Sequence, residues 1–365
     1  MNNTAPQAPP RAITVPFLDA FCCGGFSIAV VVALVAGGMA FPGAELPYSF
    51  YLIMITESLI NFPHFMASYR LLYSSRKTVR EHLFVAVILP VLMLGIVASC
   101  VAYEMTGGKI QGSAPTIGLM ALFSPFAPIL LGWHYTGQAW GMTACFAYIG
   151  GLRIELSERR MLLLGLRTLW FYHVILVLDA MEFHYVFGTF AEDVHAIIVL
   201  LITLTRVAVF VTFLVGLEGF RRIATREQKK IPIRCWLPWG AIFAWYVMAD
   251  MHRGTFVLLQ VFHSLQYMVF PLRVEFNQYR TNSPDAPMPN VWRHIMLYYL
   301  ALVVVGLFAF KSPELATFAV SSEIKLAAMI SAAINMHHYC TDSVVWKIRN
   351  PEVQQALFGH LKPAT

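Results

Sequence analysis

The sequence predicts an all-α, polytopic transmembrane helix bundle of about ten spans with both termini in the cytoplasm, and three observations carry that prediction. Composition is the first: 58% of the 365 residues are hydrophobic and 13% charged, with a mean hydropathy of +0.62, whereas soluble domains run near half apolar and a quarter charged. The second is length, because the apolar runs come in pieces near the roughly 20 residues that a helix needs to cross a bilayer. The third is the placement of Lys and Arg in alternate loops. The formal charge of +6 sits mostly in short clusters beside apolar runs, so it reports membrane orientation and not nucleic-acid binding.

In chain order, Met1 to Pro10 is too polar for the apolar core of a signal peptide, and residues 1–16 read as a polar tail before a retained first span at about 17–40. Further runs fall at about 48–72, 83–103, 116–150, 161–187 and 194–220. The stretch 236–272 is too long for one span and reads as a hairpin that turns at Asp250-Met251-His252-Arg253-Gly254, with Asp250 and His252 solvated. Runs at 294–310 and 321–346 complete the set, and 350–365 forms a C-terminal tail of the single domain 1–365. The six cysteines (Cys22, Cys23, Cys100, Cys145, Cys235 and Cys340) have no metal-finger spacing, and most fall in apolar runs where thiols act as small hydrophobes.

Orientation follows from the basic loops. Those with Arg76, Lys77 and Arg80, with Arg153, Arg159 and Arg160, with the Arg221 to Arg234 cluster, and with Arg273, Arg280 and Arg293 alternate with loops carrying Lys109, no cation around Glu192 and Asp193, or Lys311 and Lys325. The alternation holds only if 236–272 crosses twice.

On this map His64, His134, His263 and the pair His337-His338 all lie on even-numbered spans running from outside to inside. Ionisable groups at membrane depth face the bundle interior, pair with one another or serve a function. His64 stands six residues before Arg70, His263 ten before Arg273 and His337 ten before Lys347, which puts all three within about 6 Å of one depth at about 1.5 Å per residue. His134 is discordant, nineteen residues before Arg153, unless its helix breaks near Gly141 or runs on past the membrane. His338 and Asp342 share a helix face, while His337 is rotated from His338 by about 100°. A single histidine of this kind is as readily a polar residue joining two helices. Several at one depth on separate helices favour a shared metal, since neutral imidazoles suit iron, copper, zinc and nickel and a bundle lets each helix supply one inward ligand.

The ordered set Pro63-His64, Trp133-His134-Tyr135, Phe262-His263-Ser264 and His337-His338 through Asp342 resembles the bacterial Brp/Blh family of beta-carotene 15,15'-dioxygenases. The likeness covers motifs and span order over most of the chain. It implies a non-haem Fe(II) centre, mononuclear by preference with two irons left open, that activates dioxygen and oxygenates an isoprenoid, carotenoid or other lipophilic substrate held between helices in a bacterial-type plasma membrane. Where the family carries an acid after its first histidine this chain has Ser68 and Tyr69, and where its His-Ser motif carries a second histidine this chain has Tyr267. One of His337 and His338 then supplies a ligand, and Gln138 and Gln266 are candidates to orient imidazoles from outside the ligand set, as is Asp342.

Glu57, two helical turns before His64 on an ideal helix, is a candidate ligand or proton acceptor, or else a buried hydrogen-bonding group. With Tyr267 and Asp342 it makes up the candidate catalytic set. Asp179, Glu182 and His184 lie toward the opposite end of the fifth span and read as structural or as a second polar site. Competing classes are a di-iron desaturase or hydroxylase, which needs histidine boxes the chain lacks, a haem electron carrier, and a metal or proton transporter. No electron-transfer module or dinucleotide fingerprint occurs. A monooxygenase would therefore need a redox partner, and a dioxygenase would need none.

Overall fold

The computed structural model describes residues 12–40, 54–105, 126–251, 255–320, 326–347 and 351–361, and no strand occurs among them. Helix α1 (Pro16–Ala20) passes through a π-helical turn at Phe21–Gly25 into α2 (Phe26–Ala40). A second π turn, Glu57–Asn61, leads into α3 (Phe62–Leu72). Ser75 then caps the short α4 (Arg76–Glu81), its hydroxyl accepting from the Thr78 amide at 3.1 Å. A third π turn at Phe84–Ile88 opens α5 (Leu89–Met105). There follow α6 (Phe126–Ile149), α7 (Leu156–Ala180), a 3-10 segment at Phe183–Phe190, α8 (Ala191–Glu227), α9 (Ile233–Met251), α10 (Phe256–Asn282), α11 (Met288–Val320), α12 (Leu326–Val345) and α13 (Pro351–Phe358).

Five segments among the described residues are long and apolar enough to cross a membrane: Pro16–Gly38, Phe84–Tyr103, Leu156–Ala180, Phe187–Glu227 and Met288–Pro313. Apart from Leu156–Ala180, half of whose apolar window is buried, they bury little of themselves, only 17% of the window in each of the last two. Large apolar side chains such as Leu204, Val207 and Phe210 on α8 and Val304 and Phe308 on α11 face outward. That is the surface a lipid solvent requires of a helical protein. The helices that carry the four converging histidines, α3, α6, α10 and α12, are not among the five, and their buried side chains include His64, His134, His263 and His338. The main core, with Trp239, Trp245 and Tyr246 fully buried, joins α6, α7, α9 and α10.

Two close approaches fix the inner helices. A Cβ on Gly306 of α11 would lie 2.8 Å from the Cβ of Phe62 and 3.0 Å from its carbonyl carbon, so only glycine lets α11 pack against the start of α3 two residues before His64. Phe310, one turn on, stacks on the Phe62 ring at 4.5 Å. At the other end of the chain, buried Asp19 accepts from the Ile13 and Thr14 amides at 2.8 and 2.9 Å and lies 3.8 Å from Arg234 of α9. Asp19→Ala strands the two amides and removes the carboxylate beside the buried Arg234 guanidinium, and the loss of a partner for buried donors costs about 1 to 3 kcal/mol. A lowered thermal midpoint of the purified protein, with metal content per folded molecule unchanged, is the expected result.

The helices follow the apolar runs, with differences. Residues 48–53, 116–125, 252–254 and 321–325 of those runs, with Lys109, His252, Arg253, Gly254 and Lys325, lie outside the described residues. The hairpin reading of 236–272 corresponds to the separate helices α9 and α10. Asp250 lies in a helix and not in a turn: it belongs to α9, is partly exposed, and accepts from Tyr172 Oη at 2.8 Å and Arg206 Nη2 at 2.6 Å. Arg206 stands inside an otherwise apolar helix and needs a counter-charge there. Asp179, Glu182 and His184 form a separate polar patch, with His195 Nδ1 3.9 Å from Asp179 and its ring 4.6 Å from His184. None of the six cysteines, all among the described residues, is in a disulfide.

Candidate metal centre

His64 enters the site near the start of α3, just past a π turn in a continuous helix, and the carbonyl of Leu59, four residues before Pro63 and denied a donor there by the proline, accepts from Tyr299 Oη instead. The serine beside His263 sets its tautomer. Ser264 Oγ donates its one hydrogen to Asn61 Oδ1 at 2.8 Å and lies 3.2 Å from His64 Nδ1, so His64 Nδ1 is the donor in that second bond. Its Nε2 is left as a bare lone pair aimed at the middle of the bundle, the tautomer a metal ligand requires.

Three more imidazoles meet it there. His338 Nε2 lies 3.1 Å from His64 Nε2, and His263 Nε2 lies 3.0 Å from His134 Nε2. One ring nitrogen from each of His64, His134, His263 and His338 falls within 4.8 Å of all the others, and all four residues are buried. Two nitrogens at about 2.1 Å from one ion stand about 3.0 Å apart at a right angle and about 3.4 Å apart at the tetrahedral angle. The two short spacings therefore fit a common ion. In its absence, nitrogens this close repel unless one of each pair carries a hydrogen. Nδ1 of His263 and Nδ1 of His338 are buried without hydrogen-bond partners, so of these three rings His64 alone has the outer hydrogen bond that usually orients a ligating imidazole.

Asp342 completes one edge. Its Oδ2 lies 3.5 Å from His338 Nε2 and 3.7 Å from His134 Nε2, while Oδ1 accepts from Ser68 Oγ at 2.6 Å and Tyr267 Oη at 3.2 Å. Ser68 and Tyr267 are 2.5 Å apart, and Trp346 Nε1 donates to Tyr267 Oη at 2.7 Å. The carboxylate thus faces the converging nitrogens. It does not reach an imidazole's outer N–H, as one helical turn of spacing had implied.

Beside Asp342 and His134 opens a cavity of about 270 Å³ lined by Trp133, Gly137, Gly141, Met142, Phe270, Tyr339, Trp346 and Leu357 among others. Its wall is mainly apolar and aromatic. A Cβ at Gly137 or Gly141 would meet nothing within 4 Å, so the two glycines widen the space along one face of α6.

Several sequence expectations are corrected. His337 is not in the group: its Nε2 donates to Val85 O at 2.7 Å. That carbonyl is left over because the Leu89 amide goes to Phe84 O across the π turn and Pro90, next in line, has no N–H. Glu57 is not in the group either, since the π turn Glu57–Asn61 holds an extra residue and the seven-residue spacing no longer sets it on the face of His64, whereas Asn61, three residues before His64, stands at the site. Neither glutamine touches an imidazole. Gln138 donates to the His263 carbonyl at 3.1 Å and Gln266 to the Cys23 carbonyl at 3.1 Å. Tyr267 does not replace a ligand but anchors Asp342. His134, discordant in depth, belongs to the centre: α6 continues unbroken through Gly141 to Ile149, and α10 likewise runs on past Arg273 to Asn282, so the first cation after a helix is no fixed marker of depth. Asn61 and Trp346 were not foreseen, and Ser68 and Ser264 only as neighbours of a motif.

The fold and the site together define a helical protein with membrane-spanning segments and a buried four-histidine group that can hold a metal ion. Compared with protein-family models, with curated proteins and with solved structures, the chain matches none of them.

Proposed function

We propose that this is a membrane-embedded non-haem iron oxygenase of the dioxygenase type, acting on a lipophilic substrate such as an isoprenoid or carotenoid. The observation that carries it is the opening of a four-imidazole group, donated by four helices, onto an apolar cavity with a single carboxylate at the junction. Four neutral nitrogens within 4.8 Å favour one ion over two, and borderline imidazole donors suit iron. Bound iron would supply the activation of dioxygen. The chain's own part is to hold His64 in its ligating tautomer through Ser264 and Asn61, to exclude water, and to seat an apolar chain against Trp133, Met142 and Phe270. Asp342, fixed by Ser68 and Tyr267, stands where a proton can be held beside the converging nitrogens.

Cleavage of a carbon–carbon double bond by one dioxygen molecule to two carbonyls balances in atoms and electrons without a reductant, which agrees with a sequence that carries no electron-transfer motif. The resemblance to the Brp/Blh proteins points to the same chemistry. In this reading the chain crosses a bacterial-type plasma membrane ten times with both termini cytoplasmic, on the strength of the alternating basic loops.

Metal analysis of the purified protein with its absorption spectrum tests the reading. About one iron per chain and no Soret band are expected; a Soret band or a metal-free protein would overturn it. Gly141→Leu is expected to leave the iron in place and to lower kcat/KM for dioxygen consumption with beta-carotene at least tenfold, on the order of what lost positioning costs, because the new side chain fills the cavity. Undiminished turnover would move the substrate elsewhere.

A further inference from the structure

A second concave site lies apart from the histidines, between α7 and α8. It is an open groove of about 470 Å³ lined by Leu156, Arg159, Arg160, Leu164, Arg167 and Val215 among others. Arg160, Leu164 and Arg167 are spaced at i, i+4 and i+7, so they form one stripe of α7. All three are exposed. Arg167 stands eleven residues past Leu156, about 16 Å along the helix, inside a segment long and apolar enough to cross a membrane. A guanidinium at that depth on an outward face is costly unless a counter-anion meets it or it reaches back to the headgroup layer.

Among the described residues no carboxylate pairs with Arg167. Glu158, in the first turn of α7, is buried and accepts from Arg226 Nε and Nη2 at 2.9 Å each, and Glu155 lies 3.5 Å from Arg226 Nε. Arg159 lies over the Trp140 ring at 5.6 Å. Among the described residues Arg160 and Arg167 have neither a hydrogen bond nor an ion pair, while exposed leucines and a valine from the neighbouring helix complete the groove. Cations paired with apolar surface in this way match a ligand that has a phosphate at one end and acyl chains at the other.

We propose that this groove binds an anionic phospholipid, its phosphate held by Arg160 and Arg167 through charge-assisted hydrogen bonds and its acyl chain laid along Leu164 and Val215. The assignment is independent of the reaction at the histidine centre. The test is thermal denaturation of the full-length protein in non-ionic detergent with added dioleoylphosphatidylglycerol, dioleoylphosphatidylcholine or inorganic phosphate. The anionic phosphatidylglycerol is expected to raise the midpoint and the zwitterionic phosphatidylcholine not to. In Arg160→Gln/Arg167→Gln the lipid's apparent affinity should fall about tenfold or more, while the midpoint without lipid stays near that of the unaltered protein because both side chains are exposed. Arg76→Gln/Arg80→Gln, with the same change of charge on α4, should keep the full response. Equal shifts with both lipids, an undiminished response in the α7 variant, or equal losses in both double variants would overturn the assignment. A shift reproduced by inorganic phosphate alone would overturn it in favour of a free-anion site, and a lipid-independent change in oligomeric state in the α7 variant would overturn it in favour of contact with a second copy.

Discussion

His338→Ala is expected to abolish bound iron, and His337→Ala, one residue away, to leave the iron in place. The contrast follows from the helix: adjacent side chains are about 100° apart, so His338 Nε2 comes within 3.1 Å of His64 Nε2 while His337 is turned to the Val85 carbonyl. The same total loss is expected for His64→Ala, His134→Ala and His263→Ala, whose ring nitrogens share the 4.8 Å group. Ser264→Ala should act more weakly. It removes the acceptor that fixes the His64 tautomer, and changes outside the ligand set lower metal affinity by about 10 to 100-fold. Metal content of membrane-extracted, correctly sized protein measures all of these. Full iron in the His64 and His263 variants, or loss of iron in the His337 variant equal to that of His338, would show that another group holds the ion.

The site was partly legible in the sequence because its ligands obey coarse rules, and partly hidden because its supports do not. Histidines inside apolar runs stand out wherever they occur, and the shared direction of their helices follows from the basic loops, so His64, His263 and the His337-His338 pair could be brought together by counting residues, without a choice between the last two. That count failed for His134 because it took the first cation as the end of the bilayer, whereas α6 and α10 both continue well beyond their histidines. It also could not see π turns. A periodicity argument assumes 3.6 residues per turn, and one widened turn at Glu57–Asn61 is enough to change the face of Glu57 relative to His64. The widened turn at Phe84–Ile88 had a visible cause in Pro90, but its consequence, a carbonyl that captures His337, needed the neighbouring helix to be in place.

The same contrast runs through the fold. The segments most easily read as membrane spans are mostly the ones with much of their surface exposed, since a helix facing lipid must be apolar on most of its circumference. The helices that build the site are polar enough to escape a strict apolarity rule and were placed by what flanks them. Their mutual packing depends on small residues whose role only the assembled structure shows, as with Gly306 against Phe62.

Asp342→Asn is expected to lower iron affinity by about 10 to 100-fold without removing the ion altogether, and to reduce turnover further than that occupancy explains. The amide keeps the size of the carboxylate, and one oxygen can still accept from Ser68 and Tyr267, which hold Oδ1 at 2.6 and 3.2 Å. What changes is the other atom. Oδ2 lies 3.5 and 3.7 Å from the Nε2 atoms of His338 and His134, so the variant turns an NH2 group toward nitrogens that a bound cation needs as acceptors, and the only carboxylate at the junction with the cavity loses its charge. Four neutral imidazoles remain to hold the ion, which is why occupancy should fall and not vanish. Tyr267→Phe provides the comparison: it removes one donor to Oδ1 and keeps the charge, so it should cost less in both iron and turnover. Iron titration and dioxygen consumption on the two variants separate the roles. Complete loss of iron in Asp342→Asn, equal to that in His338→Ala, would place the carboxylate among the ligands, and unchanged iron and turnover would leave it a structural partner of Ser68 and Tyr267.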